Sequence, residues 1–329
     1  MKIIAELCQN HNGKINILKE MISSASRAGA SHIKIQHIRP EILNFRPKHE
    51  NGIVLKGKKI SIKRPYKAEY ERLSKLVLKD SEIKEFISIC NEEGVTPLTT
   101  CFARCDVDHI KELGFKEVKV ASYDCSSFQL LRELCGKFSH IYISTGATYD
   151  DEVKYAVEIL KSYSQSFSLL QCTTIYPTPL ELINLSRMNY LSSLVDNKNN
   201  IGFSDHSSSF KNANIGSMLA IYNGARIIER HYSILPSEMT KDGPVSINES
   251  NLTELVAFSK LDKVKQYEYI KNIGFNPDEF FQSYYCDKGL SDEELLNRDY
   301  YKGRFASVIS RKDGLPNKVI KNSEEIPIK

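Results

Sequence analysis

Ile201-Gly-Phe-Ser-Asp-His206 and, one helical segment later, Ile227-Ile-Glu-Arg-His231 decide how this chain folds. Each string is a short apolar run that ends in an imidazole, and each reads as a buried strand. Lys211 to Tyr222 between them reads as a helix. Together they form a βαβ unit with a histidine at the carboxyl end of both strands. In a parallel barrel those ends are neighbours on one face, so His206 and His231 would converge as potential metal ligands.

Outward from this unit the same alternation runs through the chain. Strands are legible at Ile3–Leu7, Ile33–Ile35, Thr96–Thr99, Glu117–Ala121, Ile141–Ser144 and Phe167–Leu170, before the pair above. Helical spacing follows each one. Thr178-Pro-Leu-Glu181 has the form of a capping box and predicts a helix from Thr178 to Leu194. Eight strands alternating with eight helices predict a closed (β/α)8 TIM barrel over residues 1–260. An open doubly wound sheet is the alternative, and the lack of a Gly-rich phosphate loop in the first βα turn argues against it.

Two segments fall outside the repeat. His37 to Lys79 is a long insertion after strand two, rich in Lys and Arg, and reads as a solvated basic loop or as a substrate lid. Residues 261–329 read as a short, mostly helical extension. It has helix starts at Asn276-Pro-Asp-Glu279 and Ser291-Asp-Glu-Glu294 and dense aromatics (Tyr284, Tyr285, Tyr300, Tyr301, Phe305). It is too short for a second domain of ordinary size.

Bulk properties exclude several classes. Lys plus Arg number 45 against 41 Asp plus Glu, a net charge of +4. That surplus is too small to imply a nucleic-acid partner, although a local basic cluster would suit a phosphorylated or carboxylated substrate. No apolar run reaches membrane-span length. Met1-Lys-Ile-Ile-Ala-Glu6 enters a strand with no signal-peptide pattern. The eight cysteines are scattered without zinc-site spacing and read as reduced thiols. A cytoplasmic protein is the expectation.

Polar side chains stand at the carboxyl end of nearly every predicted strand: Glu6, Lys34, Thr100, Lys119, Ser122, Asp124, Ser144, Thr174, Tyr176, Ser204, His206, Glu229 and His231. In a barrel these rim positions form one pocket. Lys34 (Ile-Lys-Ile) and Lys119 (Val-Lys-Val) sit inside apolar strands. Facing the helices, an ammonium there would be buried unpaired at high cost. Facing the centre and binding a phosphate or carboxylate is the first reading, and a structural ion pair is the second. A Schiff-base lysine is the sharper variant and would make the chain an aldolase. The paired histidines, with Asp205, Glu229 and Asp242 nearby, suit a catalytic divalent ion such as Mn²⁺ with positions open to water and substrate.

Several strings resemble the N-acetylneuraminate (sialic acid) synthase family. They are Glu6-Leu-Cys-Gln-Asn-His-Asn-Gly13, Ile33-Lys-Ile-Gln36, Val118-Lys-Val-Ala-Ser122, Ile143-Ser-Thr-Gly146, Leu170-Gln-Cys-Thr-Thr-Ile-Tyr-Pro-Thr-Pro179, Phe203-Ser-Asp-His206 and Ile228-Glu-Arg-His231. Their order and spacing match over about residues 1–255. The resemblance implies a transferase that condenses phosphoenolpyruvate with an open-chain amino-sugar aldehyde. The product is a 2-keto-3-deoxy (nonulosonic-type) acid plus phosphate, for surface-carbohydrate biosynthesis. It implies catalytic roles for Glu6, Lys34, Lys119 and Asp124. It implies substrate-binding roles for Thr100, Ser122, Ser144, Thr174, Tyr176, Ser204 and Asp242. His206 and His231 would hold the divalent metal, Mn²⁺ first, with Mg²⁺ or Co²⁺ as alternatives. A homodimer is also implied, and no Schiff base is needed.

Three departures stand out. Asp124 occupies a position where the family has Glu. The family's Gly-Pro-Asp after strand eight is replaced by Lys241-Asp-Gly-Pro-Val245. The chain is too short for the family's antifreeze-like domain, although Gly303-Arg-Phe-Ala-Ser307 resembles that domain's first strand. A different acceptor aldehyde, another modified sugar, is therefore expected. A lysine aldolase or a non-catalytic sugar-binding barrel would be the other readings of the same pocket.

Overall fold

In the computed structural model, which describes residues 1–280 and 289–325, eight parallel strands close into one barrel. They are β1 (Lys2–Cys8), β2 (His32–Gln36), β3 (Thr96–Thr100), β4 (Glu117–Val120), β5 (His140–Ser144), β6 (Phe167–Gln171), β7 (Ile201–Asp205) and β8 (Ile227–His231). Each pairs with its neighbour in sequence, and β8 returns to β1 with His231 opposite Glu6. The expected (β/α)8 TIM barrel is what forms. Strands β7 and β8 are buried along their whole length, which is why they read as near-continuous apolar runs. A Cβ on Gly202 would lie 2.5 Å from the Ile227 carbonyl oxygen, so only glycine lets these two strands run this close.

Ile4, Leu98, Tyr142, Leu170 and Ile227 form a fully buried cluster of their own, separate from the core under the helices. They come from β1, β3, β5, β6 and β8, and they plug the barrel interior. Side chains alternate along a strand. Two residues further along, the same inward face therefore presents Glu6, Thr100, Ser144, Cys172 and Glu229. The plug makes these groups the floor of a pocket rather than the lining of a channel.

The predicted helix from Thr178 to Leu194 is not continuous. Thr178 does not cap; its hydroxyl donates to the Ile175 carbonyl at 2.6 Å. Pro179 is extended (ψ 143°), Leu180–Leu182 is a single 3₁₀ turn, and Asn184 has a left-handed φ of 48°. The helix runs only from Arg187 to Leu194. Similarly, the helix before β8 begins at Ile215 rather than Lys211, because Asn212 (φ 59°) turns the chain first.

The extension is less helical than expected. Lys263–Asn272 and Asp292–Tyr301 are helices, the second started by the Ser291 capping box, but Asn276-Pro-Asp-Glu279 yields only the 3₁₀ turn Pro277–Phe280. The segment then ends in an antiparallel hairpin, Ser307–Lys312 with Leu315–Ile320. Asp313 and Gly314, both at positive φ, make its turn, the strongest short hairpin signal a sequence carries. Tyr284, Tyr285 and Cys286 lie outside the described residues.

The insertion folds as a short hairpin, Ile53–Leu55 with Lys58–Ser61, followed by a helix, Tyr66–Ser74. Its hairpin strands are mostly exposed, but the segment docks on the extension through its buried residues. Ile42, Leu43, Tyr66 and Leu73 share an apolar cluster with Phe305, and Ser61 donates to Asp299 at 3.0 Å. Insertion and extension thus make one roof over the carboxyl end of the barrel. No helix among the described residues is long and apolar enough to cross a membrane.

Candidate active site

A cavity of about 390 Å³ lies between the strand ends and this roof. Its floor is a buried chain of alternating charge. Lys34 Nζ contacts Glu6 and lies 3.0 Å from Glu229 Oε2. The other Glu229 oxygen accepts from Ser204 at 2.8 Å and lies 3.7 Å from Lys119 Nζ, which donates to Ser144 at 2.6 Å. Glu6 Oε1 in turn accepts the Cys8 amide at 2.6 Å. Register explains the convergence: Glu6 lies opposite both Lys34 and His231, and Glu229 lies opposite Ser204.

This pairing sets the charge state of the floor. Burial alone would discharge all four groups. For Lys34 the two carboxylates outweigh burial and hold its ammonium above the ordinary range. For Glu229, Lys119 and Lys34 outweigh burial and keep it ionised. Glu6 is pushed up by burial despite Lys34. Lys119 is the less compensated lysine, and burial lowers it to about 8.

Above this floor, Cys8, His231 and Asp242 present ligand atoms that all lie within 4.8 Å of one another. They are the one such trio among the described residues. His231 Nδ1 is buried without a hydrogen-bond partner among those residues. The His206 ring centroid is 5.2 Å from that of His231. His206 Nδ1 faces the Thr173 carbonyl oxygen at 3.3 Å, and burial, then His231, press the imidazole down to about 3. A neutral ring whose Nδ1–H is held by a carbonyl keeps its other nitrogen for a ligand, the usual arrangement of a metal-binding histidine. The donors present therefore fit a divalent ion, with the carboxylate and thiol groups nearer His231 than His206.

The roof adds Arg64 from the insertion and Asn297, Tyr301, Arg304 and Phe305 from the extension. Asn297 donates to the Thr174 carbonyl at 2.7 Å, and Arg304 contacts Glu69, which Arg72 also pairs at 2.9 Å. A second cavity, of about 530 Å³, lies beside this one near Leu180 and Arg187. Its buried cation, Arg187, is committed to Asp150 and the Thr145 carbonyl, so it lacks the convergent free groups of the first.

A protein-family model describing the NeuB family matches residues 21–268. The chain belongs to the NeuB family. Pseudaminic acid synthase of Campylobacter jejuni is 29% identical over 310 residues, covering 91% of this chain and 85% of the relative. N,N'-diacetyllegionaminic acid synthase of the same species is 30% identical over 264 residues, with 77% and 73% covered. The solved N-acetylneuraminic acid synthetase of Leptospira borgpetersenii, in complex with citrate, has a TM-score of 0.64 at 24% identity, over 91% of this chain and 90% of that one. That likeness speaks for the fold. Like its NeuB relatives, the chain is an enzyme of the synthase type.

Within this NeuB barrel most of the residues singled out in the sequence come together. Glu6, Lys34, Lys119, Thr100, Ser122, Ser144, Tyr176, Ser204, His206, His231 and Asp242 all line the cavity. Thr174 does not; it is fully buried, and its carbonyl holds Asn297. Asp124 reaches the cavity edge, but its Oδ1 accepts from Ser127 at 2.7 Å and from Asn322 at 3.0 Å, which ties the end of the extension to the barrel. Two residues have larger parts than the sequence reading gives them. Glu229, placed at the rim without a role of its own, holds both lysines; its signal is an acid inside an apolar strand with two buried ammoniums to satisfy. Cys8 was passed over as a plain thiol although it ends β1 among the rim groups.

Asp124 yields a stability test. Burial raises its carboxyl from 3.8 to about 6, against the opposing bonds from Asn322 and Ser127. A raised carboxyl favours folding fully below its unfolded value, and that contribution is lost as pH climbs to about 6. Asp124→Asn keeps an acceptor for Ser127 and Asn322 without the buried charge. The variant is expected to be more stable than the parent at pH 7, by at most roughly 3 kcal/mol, with the gain vanishing below about pH 4. Paired urea curves at the two pH values check this; an Asn variant weaker than the parent at neutral pH would contradict it.

Proposed function

We propose that this enzyme joins phosphoenolpyruvate to an open-chain sugar aldehyde, consuming water and releasing phosphate, to give a 2-keto-3-deoxy acid of the nonulosonic type. The observation that carries this reading is the floor. Lys34 and Lys119, held inward among Ser144, Ser204, Glu6 and Glu229, form a rigid set of donors matched to a small ligand with both a phosphate and a carboxylate. A divalent ion bound at the rim would polarise the aldehyde carbonyl as a Lewis acid. Lys34 and Lys119 fix the anionic groups, Glu6 and Glu229 keep those lysines oriented, and the roof limits water.

The acceptor end is basic. Arg64 and Lys241 line the cavity and make no ion pair among the described residues, and the buried Arg304 Nε has no partner there. Burial, then the adjacent Arg72 and Arg64, lower the Lys241 amine to about 8, so cations crowd this part of the rim, although the carboxylates of Asp242 and Glu293 also line the cavity. An acceptor bearing a phosphate or a carboxylate away from its aldehyde fits this rim.

The test is phosphate release from phosphoenolpyruvate, measured with divalent metal and a panel of neutral, phosphorylated and carboxylated hexosamine aldehydes. Release should require both metal and aldehyde, and Arg64→Gln should raise KM for the anionic acceptors and not for phosphoenolpyruvate. Silence across the whole panel would sink the reading. One observation favours a lysine aldolase as the second: Lys119, lowered to about 8, is the amine more available to a carbonyl. Borohydride trapping with pyruvate labels Lys119 under that reading and leaves the protein unmodified under the first.

A further inference from the structure

Cys8 occupies a position that a cysteine does not favour. It closes β1 at φ 55°, in the left-handed region, after a register shift between Glu6 and Cys8 in the pairing with β2. A glycine would take this backbone without steric cost. The strained residue carries a sulfur that is fully buried at the rim of the cavity. Its Sγ lies 2.7 Å from Asp242 Oδ2. On its other side Gln36 Nε2 donates to it at 3.2 Å, and Gln36 is itself held by Gln9 at 2.9 Å, which Arg72 holds at 2.7 Å. The third side faces His231, 7% exposed, whose Nδ1 has no partner among the described residues.

A sulfur, an imidazole and a carboxylate oxygen therefore meet at one point, each delivered by a different segment: the end of β1, the end of β8 and the loop after β8. An amide donor oriented on the sulfur by a further polar chain is the kind of support that positions a thiolate ligand. A purely structural thiol would need no unpartnered imidazole beside it.

We propose that Cys8, as a thiolate, ligates a divalent ion together with His231 and Asp242, which makes the centre of this enzyme a mixed sulfur–nitrogen–oxygen site. Binding forms a metal–sulfur bond and breaks the Cys8 S–H bond, and the proton leaves to solvent. The soft donor changes which ion the site prefers. Imidazole and carboxylate alone accept hard ions such as Mn²⁺, whereas a thiolate shifts preference toward Co²⁺ and Zn²⁺. The inference rests on the synthase reading only for the location of the site, because binding is measured without turnover.

The experiment is a titration of the chelator-stripped full chain with Co²⁺, followed by near-ultraviolet absorption for sulfur-to-cobalt charge transfer. One saturable band per chain is expected. Cys8→Ser and Cys8→Gly should both lose it; the glycine variant relieves the backbone, so its fold, checked by circular dichroism, is retained. Cys172→Ala should keep the band and so exclude the other thiol near His206. Competition between Zn²⁺ and Mn²⁺ should move toward Mn²⁺ by about tenfold or more in Cys8→Gly. Cobalt binding without the band, a band that survives in Cys8→Gly, or no cobalt binding at all would each overturn the proposal. A cobalt band in a protein that releases no phosphate with any aldehyde would leave this site standing and remove the synthase reading; phosphate release with no band would do the reverse.

Discussion

Arg230→Met is expected to destabilise the protein by about 3–5 kcal/mol, the cost of leaving a buried charge without its partner. Arg230 is wholly buried, and its guanidinium lies 3.3 Å from Asp205 Oδ1. It also donates to the carbonyls of Asp205 at 3.0 Å, Ser207 at 2.9 Å, Ser208 at 3.3 Å and Ala213 at 2.7 Å. These carbonyls belong to the end of β7 and the loop after it, the segment that carries His206. Asp205 is further fixed by Ser217 at 2.6 Å and by the Ser207 amide at 2.8 Å. Burial alone would raise its carboxyl, and Arg230 reverses that. Methionine fills the space but supplies no donor, so the carbonyls go unsatisfied and Asp205 is stranded. Lysine would not rescue it, because a single ammonium cannot replace a planar fork that bonds several carbonyls at once. Pairing Arg230→Met with Asp205→Leu should recover part of the loss, since the stranded charge is then gone. Urea unfolding of the two variants measures this. A single variant within about 1 kcal/mol of the parent would show that the loop holds without the arginine.

Arg230 also marks how far the sequence could be read. In Ile228-Glu-Arg-His231 the period of two puts Glu229 and His231 on one face and Arg230 on the other. The inward histidine was evident, because an imidazole at a strand end is a recognisable ligand position. The outward arginine was silent, because its partners are backbone carbonyls, which leave no trace in side-chain pattern. The barrel itself was legible since each βα unit repeats the same local signal, and local signals survive without long-range knowledge. Contacts between distant segments were not. Glu229 meets Lys34 only because β8 closes onto β1, beside β2. Cys8 meets Asp242 only because the loop after β8 folds back over β1.

The roof failed for a different reason. The helix starts at Asn276 and Ser291 predict a helical extension, whereas Asp313 and Gly314 turn its end into a hairpin. The docking of Phe305 against Leu43 and Tyr66 depends on two segments that each look like loops alone. The insertion reads equally as a solvated loop or a lid until its partner surface is known, and only then does its place over the cavity become a geometric statement.

Lys34→Met should cost a further 3–5 kcal/mol or so and, on the proposed function, lower turnover by about 10²–10³-fold, the usual loss for one oriented electrostatic donor. The two effects separate in a double variant. Removing Lys34 leaves Glu6 and Glu229 buried, with only Lys119, 3.7 Å from Glu229, as a counter-charge. Adding Glu229→Gln removes one of those charges and should restore much of the stability, while turnover stays low because the ligand-gripping ammonium is still missing. The pH dependence provides a sign check. In the parent, Glu229 is held below the ordinary carboxylate range, so its contribution is complete above that range and fades as pH falls through it. Without Lys34, only Lys119 and the Ser204 bond oppose burial, and the same carboxyl is expected to move above the ordinary range, so that its cost is present at neutral pH and is relieved on acidification. The stability gap between Lys34→Met and the parent should therefore narrow as pH falls from 8 toward about 5, as seen in paired denaturant midpoints. A gap that stays constant over that range would mean that Lys34 does not control the charge of Glu229, and the floor would then be a set of packed neighbours rather than a coupled network.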